Sequence, residues 1–284
     1  EPRAAGGCGA RKGEGETVSE SASLSVCVLC YGPHPDLAER CLRSLQQCTQ
    51  HVELVAEFRI GLNCVCPQTY QFVRSWAEQM VQAARVPCVL YDTAENQLKY
   101  PMMRRMFYDG QRPLATYTMW FDDDSYLEGD PDFWPHVVEA MDHCDMLGQQ
   151  WRKRLTPEQQ LWVREQRWCV TPPAAQAVFC TGGWWTIRSA VLAQYDWPTR
   201  DLRHKGGDMM LGELCRQQGL RVGKYDRGVR INADAEGRHS KAARRGLSAD
   251  NGPERDLGAG YIAGDGVSRA HHDFAVVREF FGVR

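Results

Sequence analysis

Three aspartates in a row, Asp122, Asp123 and Asp124, end an apolar, β-prone run in the stretch YTMWFDDDSYL at residues 117–127. Adjacent carboxylates repel one another and lose hydration as the chain around them is buried; a divalent cation or a raised pKa is the usual relief. Side chains alternate along a strand, so Asp122 and Asp124 share a face and form the natural ligand pair, while Asp123 turns towards backbone or a neighbouring cation. The plainer account of the same residues is an acidic turn before a helix cap. A further carboxylate, Asp208, follows Gly206-Gly207 at the head of MMLGELCRQQG, where an aspartate is also a common N-cap. Cys27 and Cys30 have CxxC spacing, but in a strand they fall on opposite faces, and no second CxxC accompanies them, so a zinc site is not expected.

Those acids meet only if strands and helices carry them to one edge. LSVCVLCY, closed by Gly32-Pro33, suits a strand buried in a parallel sheet. Residues 36–49 follow with a helical stripe at Leu37, Ala38, Cys41, Leu42 and Leu45. The alternation repeats: strands at 53–62, 88–91 and 117–122, helices at 68–84 and 101–108. Asp130-Pro131 then reads as an N-cap and first helical residue, with Phe133, Trp134, Val137, Val138 and Met141 inward. A strand at 145–151 is followed by a basic, Trp-rich stretch, 150–177, expected to be a partly ordered insert or lid. Strand character resumes at 178–187 around Gly182-Gly183, a helix starts near Asp208 with Gly219 as its C-cap, and a last strand spans 220–225. Alternating β and α elements predict an α/β fold, a single Rossmann-like domain whose mainly parallel central sheet is covered by helices. In such sheets ligands bind beyond the carboxyl ends of the strands, where Tyr31, Gly32, Asn63, Asp92 and the aspartate cluster fall.

The chain has 284 residues, 43% of them hydrophobic, enough for a sizeable core. Residues 1–22 have almost nothing to bury and read as a flexible tail; 23–230 read as the main domain and 231–284 as a segment closing the site. With 34 Lys and Arg against 36 acids, the net charge of −2 gives no global drive towards nucleic acid or membrane. The cations are nonetheless clustered, in Arg152, Lys153, Arg154, Arg164 and Arg167 and again in Arg238, Lys241, Arg244 and Arg245. No run approaches the ~18–20 apolar residues of a membrane span. Several of the 12 cysteines sit inside apolar runs, which predicts buried thiols in a reducing, cytoplasmic setting.

Four segments, in this order and spacing, resemble the glycosyltransferases of the A-type fold, family 2 in particular: LSVCVLCYG with DLAERCLRSL, FDDDSYL as a DxD motif, CTGGWWTIRSAVL as the Gly-Gly segment beside the donor sugar, and GGDMMLGELCRQQG as the helix carrying the base. The resemblance covers about residues 24–225. It implies a nucleotide-sugar donor, with UDP as the nucleotide, and a divalent metal, Mn²⁺ or Mg²⁺. Asp122, Asp124 and His239 would hold the metal, with His271 and His272 as the alternative to His239. Asp208 would be the general base of an inverting transfer, and Tyr31, Gly32, Asn63, Asn96, Lys99, Asp122, Asp123 and Gly183 would line the donor pocket. Trp184 and Trp185 would stack on the acceptor. The sequence departs from the family at Gly207, where an acid usually precedes the base, and at Asn63, where many members have Asp. The chemistry agrees: a leaving diphosphate develops negative charge that a cation offsets, and an attacking hydroxyl must lose its proton.

The acceptor stays open among a glycan, a lipid-linked sugar and hydroxylated bases of DNA. A nucleotidyltransferase would need a Gly-rich basic loop where CYGPHPDL stands. A sugar-nucleotide or glycan-binding module without activity is the non-enzymatic alternative.

Overall fold

The structure is a computed structural model that describes residues 23–110, 113–203, 206–225 and 227–231. The apolar run at the start forms β1 (Leu24–Tyr31), which pairs in parallel with β2 (Val55–Asn63) and with β4 (Tyr117–Asp122). On the far side β2 pairs in parallel with β3 (Cys88–Thr93). Parallel neighbours need crossovers, and the amphipathic segments supply them: α1 (Pro35–Gln47), α2 (Pro67–Gln79) and α3 (Lys99–Tyr108). After β5 (Tyr126–Leu127) and α4 (Phe133–Met141), β6 (Met146–Arg154) and β7 (Gln176–Arg188) extend the sheet. β7 runs antiparallel to both β4 and β6, and β6 pairs in parallel with β8 (Val222–Lys224). The sheet order is β3-β2-β1-β4-β7-β6-β8, so β7 alone is reversed and the architecture is the mainly parallel α/β sheet that the alternation predicts. A two-stranded sheet joins β5 to β9 (Val229–Arg230).

Alternation along the strands feeds two cores. Val26, Val28, Phe58, Ile60, Met119, Phe121 and Trp184 pack on one face with α1, α2 and α4. Cys27, Leu29, Trp120 and Trp185 pack on the other with Met102 and Met106 of α3 and with Met210 and Leu214 of α7 (Gly207–Gln217). α7 follows α6 (Ser189–Tyr195) and lies directly on β7. A Cβ on Gly212 would come 2.3 Å from the Val178 carbonyl oxygen, so the two backbones meet where that side chain is missing.

Beyond shifts of a few residues at element ends, three segments differ from the sequence reading. α4 starts at Phe133 behind Asp132, and the Asp130 carboxylate instead accepts the Asp132 N–H, making 130–132 a turn ahead of the helix. β7 begins at Gln176, two residues before the expected 178, and runs unbroken through Gly182-Gly183, which lie between the pairs Cys180–Gln150 and Trp185–Gly148 where the register with β6 shifts. The stretch 150–177, expected to be a partly ordered insert or lid, holds regular elements: β6 continues to Arg154, and α5 (Pro157–Glu165) follows with a full Thr156–Gln159 capping box. The Trp162 indole donates to Asp201 Oδ2 at 2.6 Å, and Gln217 and Glu213 of α7 accept the N–H groups of Val170, Thr171 and Ala174. The short α5 buries only Gln159, Trp162 and Val163, too brief a stripe for its period to show in the sequence.

Candidate active site

The carboxyl ends of the parallel strands bring Asp122, from the last position of β4, beside Lys99, the first residue of α3. Lys99 Nζ lies 2.6 Å from Asp122 Oδ2 and 2.8 Å from the carbonyl oxygen of Gly182, with the Trp120 ring centroid 5.8 Å away. The other Asp122 oxygen accepts the Trp120 indole N–H at 3.0 Å. Both partners of the ion pair are largely buried, at 15% and 17% side-chain exposure, so solvent screens it less than a surface pair.

Asp208 faces this pair from the first turn of α7. Its Oδ1 accepts the Met209 N–H at 3.0 Å, and its own N–H donates to the Tyr100 hydroxyl at 3.2 Å. Gly207 makes that approach possible: a Cβ there would sit 2.2 Å from the Tyr100 ring. An aromatic ring arriving from α3 therefore takes the space that a side chain at position 207 would fill. Burial raises the Asp208 carboxyl above its ordinary range; Lys99 opposes the shift and Asp122 adds to it. Burial, with Asp208 and Asp122 nearby, likewise holds the Tyr100 hydroxyl well above its ordinary value, so it stays protonated at neutral pH. Trp185, Met103 and Leu211 floor the niche between these groups, whose volume of about 10 Å³ is room for about one water molecule.

A second network fixes the loop before Lys99. Asn63, ending β2, accepts the Gln97 N–H at 2.8 Å and donates to Asn96 Oδ1 at 3.0 Å. Asn96 Oδ1 also accepts the Leu98 N–H at 2.8 Å, and its amide donates to the Tyr31 hydroxyl at 3.3 Å. Leu98 adopts φ +67°, a left-handed conformation costly for a side-chain-bearing residue, and the asparagine bonds offset that cost where the chain turns into α3. In this structure Asn63 and Asn96 thus position Lys99.

The other residues singled out in the sequence lie as follows. The chain turns after Asp122, closed by Ser125 N–H to the Asp122 carbonyl at 2.9 Å, so strand alternation stops there and does not set Asp124 on the face of Asp122. Asp124 is fully buried, with the Ser125 hydroxyl 3.4 Å from its Oδ1. Asp123 is also buried and accepts the Tyr31 N–H at 2.9 Å, which ties the end of β1 to the acidic turn. Gly32 follows at φ +70°, and the Gly183 N–H donates to the Thr181 hydroxyl at 3.3 Å inside β7. Trp184 and Trp185 are 0% and 2% exposed and belong to the two cores, the first against Phe121, Phe133 and Tyr225, the second stacked on Trp120. Trp184 is closed inside its core, whereas Trp185, equally buried, lines the niche beside Lys99 and Asp208. His239, His271, His272 and the cations Arg238, Lys241, Arg244 and Arg245 lie outside the described residues. Sequence reasoning missed Tyr100 and the Gly182 carbonyl. The signal for Tyr100 was Gly207, an absent side chain where one was expected.

The donor set suits a hard divalent ion, since Asp122 and Asp124 offer carboxylate oxygens at a strand end. Both Asp122 oxygens are engaged by Lys99 and Trp120, however, and among the described residues no three His, Cys, Asp or Glu side chains converge as a ready cage. An ion here would compete with Lys99 for Asp122 and draw further ligands from elsewhere.

No protein-family model matches the chain, and no curated protein does. Among solved structures, the chain is similar to TarS of S. aureus, residues 1–349, at 14% identity over 73% of this chain and 59% of that one, with a TM-score of 0.48. It is also similar to the mannosyltransferase PcManGT of Pyrobaculum calidifontis in complex with GDP-Man and Mn²⁺, at 15% identity over 91% of this chain and 74% of that one, with a TM-score of 0.53. A longer TarS structure is covered over 37% of its length, so the chain spans less than two thirds of both TarS structures. The likeness to PcManGT is one of fold.

Proposed function

We propose that the chain is a glycosyltransferase that moves a hexose from a nucleotide sugar to an acceptor hydroxyl with inversion. The observation that carries this reading is the meeting of Asp208, Asp122 and Lys99 at the carboxyl edge of a sheet built like that of PcManGT. UDP as the nucleotide rests on the sequence resemblance.

In this reading Lys99 supplies a fixed positive charge to the donor diphosphate, and Asn63 and Asn96 hold the loop that aims it. Asp208, whose burial makes it a stronger proton acceptor than an exposed aspartate, takes the proton of the acceptor hydroxyl. The acceptor oxygen bonds to the anomeric carbon as the bond to the diphosphate breaks, and the proton remains on Asp208. Asp122 and Asp124, with His239 as the expected third ligand, would hold Mn²⁺ or Mg²⁺, which when bound offsets the charge of the leaving group. The acceptor is a glycan, a lipid-linked sugar or a hydroxylated DNA base. Residues 23–230 form the catalytic domain in this reading, and the segment 231–284, expected to close the site, lies outside the described residues beyond Ile231. The cytoplasmic setting rests on the cysteines inside apolar runs, of which Cys27, Cys30, Cys144 and Cys180 are buried. No described helix is long and apolar enough to cross a membrane.

Asp208→Asn tests the base. It keeps the size and the bond to Met209 but cannot take a proton, so transfer falls by about 10²–10⁴ in kcat with little change in donor KM. A full-rate variant rules the assignment out. A parent that binds UDP-sugars but transfers and hydrolyses nothing would make the chain a binding module.

A further inference from the structure

The helix that carries Asp208 begins without a side-chain cap of its own. The N-cap of α7 is Gly206 at φ +78° and Gly207 follows, so neither has a side-chain oxygen to offer the first N–H groups of the helix. The Met210 N–H is served by the Gly206 carbonyl at 3.1 Å, and the Met209 N–H by Asp208 Oδ1 at 3.0 Å. The Asp208 N–H turns instead to the Tyr100 hydroxyl at 3.2 Å, and the Gly207 N–H bonds the same oxygen. α7 is thus capped from α3, by a side chain 108 residues earlier in the chain.

Two further contacts fix this cap. Tyr100 is 4% exposed, and its own N–H donates to the Arg203 carbonyl at 3.1 Å, which ties the approach to α7 to the start of α3. A Cβ on Gly207 would lie 2.5 Å from the hydroxyl oxygen, so the cap depends on that glycine. Tyr100 directly follows Lys99, and one turn of α3 therefore sets both the cation and the carboxylate of the site.

The Asp208 N–H has a second claimant. Burial acts most strongly on the Asp208 carboxyl and raises it; Lys99 opposes the shift, as do bonds from the Met209 N–H and from Asp208's own N–H. An N–H that bonds a carboxylate favours the charged form and makes it a weaker base. The share of the Asp208 N–H that goes to the Tyr100 hydroxyl is withheld from the carboxylate. Asp208 keeps part of its surface open while Tyr100 is closed in, so an acceptor meets the carboxylate and not the phenol. Oδ2 faces the space over Gly182, where a Cβ would lie 3.6 Å from it and 3.1 Å from Lys99 Nζ.

We propose that Tyr100 is a positioning residue for Asp208: its hydroxyl caps α7 from α3 and, by taking the Asp208 N–H, holds the carboxylate towards Gly182 and keeps it basic. The consequence for transfer rests on the glycosyltransferase reading, whereas the hold on Asp208 does not. The other charged or titratable groups around Asp208 are Lys99 of α3, Asp122 of β4 and the Cys180 thiol of β7, which burial keeps protonated.

The test compares the full-length parent with Tyr100→Phe, which keeps the ring and deletes the hydroxyl. Tyr108→Phe is the control, because that hydroxyl, at the other end of α3, bonds the Leu192 and Trp197 carbonyl oxygens at 2.9 and 2.6 Å. The Asp208 carboxyl is titrated by carbon-13 NMR without metal or donor, its signal assigned with Asp208→Asn, and transfer is measured with UDP- and GDP-sugars. In Tyr100→Phe the N–H returns to the carboxylate, so the Asp208 midpoint should fall by about one pH unit. The acidic limb of kcat/KM should move to lower pH with it. kcat should drop by about tenfold, with donor KM and nucleoside diphosphate affinity unchanged. Tyr108→Phe should keep the parent's midpoint, limb and kcat, whatever it loses in Tm. The proposal is overturned by an Asp208 midpoint in Tyr100→Phe that stays or rises, by a kcat equal to that of an active parent, or by a loss of kcat that Tyr108→Phe matches. A tenfold loss of nucleoside diphosphate affinity in Tyr100→Phe also overturns it, since the hydroxyl would then act through Lys99 on the donor. If the midpoint falls as expected in a chain that transfers nothing from sugar nucleotides, the glycosyltransferase reading fails and the hold of Tyr100 on Asp208 stands.

Discussion

Lys99 touches Asp122 and the Gly182 carbonyl with one ammonium and lies near Asp208, so its removal should be felt in binding as well as in stability. Lys99→Met leaves Asp122 without its cation, and calorimetry should show two consequences. Thermal stability falls, by about 1–3 kcal/mol for a charge-assisted bond in a largely buried place. Affinity for Mn²⁺ alone rises, by about tenfold, because the ion no longer competes with an ammonium for the same carboxylate. Unchanged or weaker Mn²⁺ binding would show that ion and lysine do not share Asp122. At this scale the sequence spoke through residue types: acids at a strand end, a lysine before a helix, an aspartate after two glycines. It was silent on where alternation ends: the turn closed by Ser125 begins right after Asp122, so the strand period that paired Asp124 with Asp122 does not reach Asp124.

The connection between α5 and β7 is held by α7. Gln217 and Glu213 accept the N–H groups of Val170, Thr171 and Ala174, and Arg216 bonds Glu213 and the Pro172 carbonyl. Burial by itself would raise the Glu213 carboxyl; hydrogen bonds from Arg216, Gln217 and Ala174 outweigh it and leave the group below its ordinary 4.5. A carboxylate lowered in the native state stabilises the fold above its unfolded pKa, and that contribution is lost as pH falls through the lower, native value. Glu213→Gln should therefore lower Tm at pH 7, by about 1–3 kcal/mol in stability given that Arg216 is partly solvated. The gap between variant and parent should narrow once pH drops below about 4.5. A gap that is constant with pH would mean that the side chain acts by packing alone. Here the sequence was least informative. Its long basic stretch looked like a lid because the bonds that order it come from a helix some forty residues later, which no local period records.

Across the whole molecule, two adjacent tryptophans divide the labour of folding: Trp184 fills the core under α1 and α4, Trp185 the core under α3 and α7. Each Trp→Ala should cost about 3–5 kcal/mol, and both should lower one common unfolding transition, because a single sheet separates the cores. Two separable transitions would mean that the faces fold apart. The parallel β-α rhythm of the first half was legible because each strand is one apolar run and each helix one stripe. The reversal of β7 was not, since a strand's direction is set by its neighbours and leaves no mark in its residues. That reversal also has a consequence for biosynthesis. β1 to β4 emerge from the ribosome as a finished parallel set, yet the outer edge of β4 pairs with residues 184–188 and must wait while everything from 123 to 183 is made. During that interval Met119, Trp120 and Phe121 line an open sheet edge, the form most prone to join a neighbouring nascent chain. Ribosomal pausing before Gln176 would lengthen that exposure, and pausing after Arg188 would not.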